Sequence, residues 1–117
     1  MNVDRVTKRL FMAFALSATL LLSGGFANLS VIGLNGGRMP VEHYTLCGED
    51  YPEFQIIDKR HQCANPQTRL RLLDDRFIYG GMIYSVGDAA LVTGQTSSIL
   101  AASFAVPILI ITRKKKK

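Results

Sequence analysis

From Leu10 to Gly37, and again from Ala89 to Thr112, the chain carries no acidic or basic residue. A helix needs about 20 residues to cross a hydrocarbon core of ~30 Å, and both uncharged stretches exceed that. Two such gaps in 117 residues leave room for one small polar region and little else. With 48% hydrophobic and 20% charged residues, the composition excludes collagen-like, coiled-coil and disordered classes. The expected fold class is an all-α membrane protein. Two transmembrane helices, residues 10–34 and 89–112, flank an external, mostly irregular loop at 35–88 with a short amphipathic helix. Residues 1–9 and 113–117 form the termini.

The first stretch is richest from Leu10 to Leu22, continues through Ser23, Gly24 and Gly25, and resumes at Leu29–Leu34. Asn28 is its one strongly polar side chain well inside the span. A secretory signal peptide is the rival reading, with Arg5, Lys8 and Arg9 as the basic region and Gly25-Phe26-Ala27 as the cleavage site. The apolar pattern continues past that point for long enough to complete a span, which favours the membrane helix.

The second stretch is polar in its first half, with Thr93, Gln95, Thr96, Ser97 and Ser98, and strongly apolar from Ile99 to Ile111. Hydroxyls and an amide facing lipid are costly, so the first half is expected to face protein. Small residues recur every fourth position in two registers, Gly94, Ser98, Ala102 and Ser97, Ala101, Ala105, as on a helix-packing ridge. Pro107 removes a backbone donor near the end and is expected to kink the last turns. Ser85-Val86-Gly87-Asp88 fits a capping box that starts this helix.

Basic residues resist translocation. Arg5, Lys8 and Arg9 precede the first span, and Arg113, Lys114, Lys115, Lys116 and Lys117 follow the second. The intervening loop holds six basic and eight acidic residues. Both termini are therefore expected in the cytoplasm, with the loop on the opposite face of the plasma membrane. The basic tail sets topology and can hold anionic lipid, at about 1 kcal/mol per basic residue. No folded basic surface accompanies it, so nucleic acid is not an expected partner.

Cys47 and Cys63, the two cysteines, both lie in the loop. An oxidising external space favours a disulfide between them. Free thiols are one alternative. Another is a metal set, because His43, Cys47, His61 and Cys63 together offer two nitrogens and two sulfurs. Further along, Asn65-Pro66 marks a turn, and Leu70, Leu73, Phe77 and Tyr84 fall at near-helical spacing. That spacing predicts the amphipathic helix, broken at Gly80-Gly81, with Tyr79 and Tyr84 at headgroup level. Asp74 and Asp75 are read as solvated partners of Arg71 and Arg76.

Three elements carry a family resemblance: Asn35-Gly36-Gly37-Arg38-Met39-Pro40-Val41, Thr68-Arg69-Leu70 with Leu73 and Asp74, and Ser85-Val86-Gly87-Asp88 ahead of a helix containing Gly94. Their order resembles an uncharacterised family of small bacterial integral membrane proteins, over roughly Leu29 to Gly94. The resemblance implies a membrane protein whose relatives carry further helices upstream, and it implies no activity.

The chain lacks a phosphate loop, a dinucleotide fingerprint and a metalloprotease helix. No catalytic residue, metal or cofactor is expected. The expected role is a non-catalytic accessory or scaffold subunit whose partners are other integral membrane subunits of a larger complex, with energy-transducing complexes as one candidate. The alternatives are a pore-forming protein of holin type and a membrane-anchored metal-binding module.

Overall fold

The computed structural model describes residues 2–48 and 56–114. Helix α1 (Val3–Leu34) and helix α3 (Val86–Lys114) form an antiparallel pair. The described molecule measures 70 × 26 × 20 Å. Both helices are long and apolar enough to cross a membrane. Each extends beyond its uncharged stretch, because charged side chains at a helix end reach water while the backbone hydrogen bonding continues. Asn2 caps α1, its side-chain oxygen accepting from the Arg5 amide at 3.3 Å. Helix α3 runs through Pro107 to Lys114 without a break.

The helices meet along a seam of small side chains. Ser17, Gly24 and Val31 are buried on α1, seven residues apart, and Gly87, Gly94 and Ala101 repeat the interval on α3. A seven-residue repeat is what keeps one stripe of each helix against its partner. A Cβ on Gly94 would lie 2.8 Å from the Ser17 carbonyl oxygen and 2.9 Å from the Leu21 amide nitrogen. One on Gly24 would lie 2.5 Å from the Gly87 carbonyl oxygen. The backbones are in direct contact, as small residues permit. Ser97, Ser98 and Ala105 are half-buried beside the seam. Ala102 is a correction: it is exposed, because a four-residue step advances faster around the helix than the seam does.

Outside the seam the burial pattern is inverted relative to a soluble helix pair. Phe11 (74% exposed), Leu22 (75%), Phe26 (75%) and Phe104 (66%) point outward, as do Leu16, Leu29, Ile99 and Leu109. In water such a surface would be an aggregation site; in lipid it is the ordinary exterior.

The loop region is a small β-containing head. Strand β1 (Met39–Val41) pairs in parallel with β2 (His61–Cys63), aligning Met39 with His61 and Val41 with Cys63. On the other side of β1, Asp75 donates its amide to the Pro40 carbonyl at 2.9 Å, and its carbonyl accepts from the Glu42 amide at 2.9 Å. A one-turn helix α2 (Tyr44–Cys47) brings Cys47 to Cys63, and the two form a disulfide. Val41, Cys47, Cys63 and the flanking Ile83 make the head's core. Thus the region around the disulfide is more regular than expected. Tyr51, Pro52 and Phe54 of the expected irregular loop lie outside the described residues, as do Lys115, Lys116 and Lys117.

The expected amphipathic helix is absent. A 3-10 turn at Arg71–Leu73 leads instead into an antiparallel hairpin, β3 (Phe77–Tyr79) and β4 (Met82–Tyr84). Gly80 and Gly81, with φ of 59° and 77°, form its two-residue turn. Positive φ at both turn positions matches strand twist and is open to glycine. Three apolar residues on each side of Gly-Gly are a hairpin signal that outweighs the helical spacing. Phe77, Tyr79, Met82 and Tyr84 share the outer face, whereas Ile83 faces the core.

Gly94→Val is expected to destabilise the protein by about 1–3 kcal/mol through overpacking. Gly33→Val, where a Cβ meets nothing within 4 Å, serves as the control, both read by thermal unfolding in detergent. Cys47→Ser, which opens a loop closed over 16 residues, should cost the head about 3 kcal/mol in the same assay.

Candidate functional site

A polar cluster joins the last two turns of α1 to the start of α3. The Asn28 amide nitrogen donates to Asp88 Oδ1 at 2.7 Å, and Ser85 Oγ donates to Asn28 Oδ1 at 2.9 Å. The capping box is formed as its residue types dictate: Ser85 N donates to Asp88 Oδ2 at 2.9 Å, and Asp88 N donates to Ser85 Oγ at 3.0 Å. Ser85 is fully buried. Gly87 lies directly beneath Asn28, whose Oδ1 occupies the space a Cβ would take. The rise along α1 from Arg9 to Asn28 is about 28 Å, close to the ~30 Å thickness of a hydrocarbon core.

A second clamp holds the head onto the end of α1. Gly36 and Gly37, both at positive φ, turn the chain, and Gly37 N bonds back to the Ile32 carbonyl at 2.9 Å. The Asn35 side chain accepts from Arg69 N at 2.8 Å and donates to Arg69 O at 2.9 Å. Gln62 Nε2 donates to the Asn35 carbonyl at 2.9 Å. The Asn-Gly-Gly element and the Thr68-Arg69-Leu70 element are therefore two halves of one contact.

Between these clamps lies a cavity of about 260 Å³. Asp75 and His61 line it from the head, Asn28 and Asp88 from the helices, and Lys59 and Arg60 from the rim. Asp75 is 3% exposed, and its Oδ1 has no hydrogen-bond partner. Its Oδ2 lies 3.5 Å from His61 Nε2. The opposite ring nitrogen, Nδ1, lies 3.0 Å from both oxygens of Asp58. Burial, and then the Asp88 charge, push the Asp75 carboxyl up from 3.8 to about 6, against the pull of His61. Amide donation from Arg60 first, and then the His61 ring, hold the exposed Asp58 below its ordinary value.

Asp74 is also fully buried, which corrects the expectation that this acid pair is solvated. The physical reason is the strand-like path of residues 74–76 beside β1, which sends the two side chains to opposite sides. Asp74 Oδ1 meets Arg76 Nη2 at 2.8 Å, and Arg76 Nη2 lies 3.4 Å from Glu42. Arg76 also donates to the Arg71 carbonyl, and Arg71 pairs with Glu42 at 2.9 Å. Burial first, and then the neighbouring Glu42 carboxyl, raise Asp74 to about 6 against the pull of Arg76. Glu42, although burial opposes it, is held below its ordinary value by Asp74, Arg71 and Arg76.

The remaining expected residues fall elsewhere. Cys47 and Cys63 are consumed by the disulfide, so the thiolates that a metal would need are gone. Among the described residues, no three His, Cys, Asp or Glu side chains group as a metal set. Arg113 and Lys114 sit exposed at the end of α3. Sequence reasoning noticed Asn28 and Asp88 separately and missed their bond. The available signal was depth: each is the polar residue at the same end of its uncharged stretch.

A family described as Family of unknown function (DUF5317) matches residues 10–100. The chain belongs to this family. The match is wider than the Leu29 to Gly94 resemblance and takes in the first helix, so α1, the head and most of α3 are all family features. Asn28, His61, Asp75 and Asp88 lie within it. No curated protein and no solved structure matches the chain.

Asp74 and Asp75 bind protons more tightly folded, at about 6, than their ordinary 3.8. The folded state thus holds extra protons between these values, and stability falls as pH rises through that window. Asp75→Asn should raise the melting temperature above pH about 6 and leave it nearly unchanged below pH about 4, measured by detergent-phase unfolding across the range.

Proposed function

We propose that the protein is a non-catalytic accessory subunit of a larger membrane assembly, crossing the plasma membrane twice with both termini cytoplasmic and the head outside. The observation that carries this reading is Gln95. It is exposed on α3, one seam repeat below Asp88, about 10 Å inside the apolar layer. Three of the neighbouring hydroxyls are satisfied within their own helix. Thr93 donates to the Ala89 carbonyl at 2.7 Å, Ser97 to Thr93 at 2.6 Å and Ser98 to Gly94 at 2.9 Å. The Gln95 amide has no such partner among the described residues, and an unpaired amide in hydrocarbon costs several kcal/mol, of order 4 or more. A neighbouring helix with a polar side chain at that depth removes the cost. Exposed apolar faces on both helices leave room for it.

The topology reading is supported by the charge asymmetry: Arg5, Lys8, Arg9, Arg113 and Lys114 gather at one end of the helix pair. Anionic lipid is the expected contact of the tail. The disulfide supports placing the head in an oxidising space. Gln95 also suits a second copy of the same chain, which keeps a holin-like oligomer as the second reading. The metal-binding module is withdrawn because the disulfide takes its sulfur ligands.

Purification in mild detergent should recover other membrane chains with the protein, and Gln95→Leu should deplete them without lowering the melting temperature. A lone monomer contradicts the subunit reading; a pure homo-oligomer with membrane depolarisation on expression favours the pore. In sealed, right-side-out vesicles an impermeant amine reagent should label Lys59 and spare Lys8. Labelling of both from one side contradicts the topology.

A further inference from the structure

Between Arg76 and Arg113 the chain carries one charged side chain, Asp88. Both of its oxygens are occupied, since Oδ1 accepts from Asn28 and Oδ2 from the Ser85 amide. From the hairpin into α3 the chain therefore presents no unpaired charge. On the outer face of the hairpin Tyr79 is 81% exposed, and Phe77 and Met82 are exposed beside it. Strand alternation puts these side chains on the side opposite Ile83, so they add nothing to the head's core. An exposed face of large apolar side chains marks a place of contact.

This face and α3 enclose a groove of about 410 Å³. Phe77, Tyr79 and Tyr84 form one wall, and Ala89 and Val92 form the other. Ser85 and Asp88 close it where the strand passes into the helix, and their capping-box atoms already have partners. Val92 stands two residues from Gly94, roughly 200° round the helix, so this wall is the side of α3 turned away from α1. Ile99, seven residues on and exposed, continues the same side into the strongly apolar half of the helix. The groove is thus continuous with the apolar exterior of α3. A docked protein segment would bring hydrogen bonds and a polar rim. The groove's free walls answer with hydrocarbon and two phenols, which suits an occupant that is itself hydrocarbon.

We propose that the outer face of the hairpin is a lipid-docking surface, immersed in the leaflet on the head's side, with an acyl chain of a bordering phospholipid in the groove against α3. The proposal rests on the two-span reading, which puts Ala89 and Val92 in the first turns of α3 inside the bilayer. Tyrosine and phenylalanine suit this level, since an aromatic ring is at home between hydrocarbon and headgroup. The backbone limits the depth. The sheet has two strands, so each strand keeps an edge of N–H and C=O groups that needs water or headgroups. The hairpin therefore stops at the interface, and its contact holds the head at a fixed tilt to the bilayer plane.

The chain contains no tryptophan, so a single introduced indole reports its own surroundings. The test places the full chain, one copy per disc, in phosphatidylcholine nanodiscs whose acyl chains are brominated near the glycerol end or near the methyl end, with iodide as the quencher in water. Tyr79→Trp should lose its fluorescence to the shallow bromines and keep it in iodide. Phe77→Trp, on the same face, repeats the measurement if Tyr79→Trp fails to fold. Leu16→Trp replaces an exposed side chain about 18 Å from Asn28 along α1 and tests the two-span reading by itself. It should be quenched by the deep bromines. If Leu16→Trp escapes bromine, the two-span reading fails and takes the hairpin proposal with it. If Leu16→Trp is quenched by bromine and Tyr79→Trp by iodide, the hairpin proposal alone is overturned. Protection of Tyr79→Trp from both quenchers places that face under another part of the chain and overturns it as well.

Discussion

The direct contact of two helix backbones at Gly24, Gly87 and Gly94 is the constraint on which the rest of the structure depends. In lipid there is little hydrophobic force to draw helices together, so close van der Waals contact and buried hydrogen bonds must do it. The seam provides the first and the Asn28–Ser85–Asp88 cluster the second. The cluster sits at one end of the seam, which fixes the axial register of the helices. A slip of one turn would leave Asn28 and Asp88 unpaired near hydrocarbon, at several kcal/mol by general estimate, of order 4 or more. Large apolar side chains are left to face outward, where they cost nothing in a bilayer.

That register positions the head. Ser85 ends the hairpin and begins α3, while Asn35 ends α1 and grips the backbone of Arg69. Both helix ends thus hand the chain directly into strands, and the head has few degrees of freedom. Its core is too small to be stable through burial alone, which explains the role of the Cys47–Cys63 bridge at its centre. Within this small body two carboxylates are buried. Asp74 pairs with Arg76 through Oδ1, and its Oδ2 is buried without a partner. Asp75 faces His61 through Oδ2 and likewise keeps a buried Oδ1 without a partner.

Much of the architecture was legible along the chain. The two uncharged stretches gave both long helices, Ser85 and Asp88 gave the cap, and Cys47 and Cys63 gave the bridge. Of the small residues on α3, Gly94 and Ala101 lie buried against α1 and Ala102 does not. The hairpin is hard to see because the apolar residues from Leu70 to Tyr84 satisfy helical spacing nearly as well as strand alternation, and Gly80-Gly81 reads equally as an interruption or a turn. The acid pair was misread because adjacent carboxylates are usually solvated, and nothing local says that residue 75 runs beside β1.

Sequence alone therefore determined what depends on near neighbours in the chain: the length of apolar runs, the capping box, the glycine turns and the sign of charge at each end. Tertiary structure decided what depends on residues brought together across long separations. Asn28 needs Asp88, Asn35 needs Arg69, and the Asp75 cavity needs β1, β2 and both helix ends at once. The physical reason is that burial of a polar group, and hence its protonation, is a property of the surroundings that the fold assembles and not of the residue that is buried.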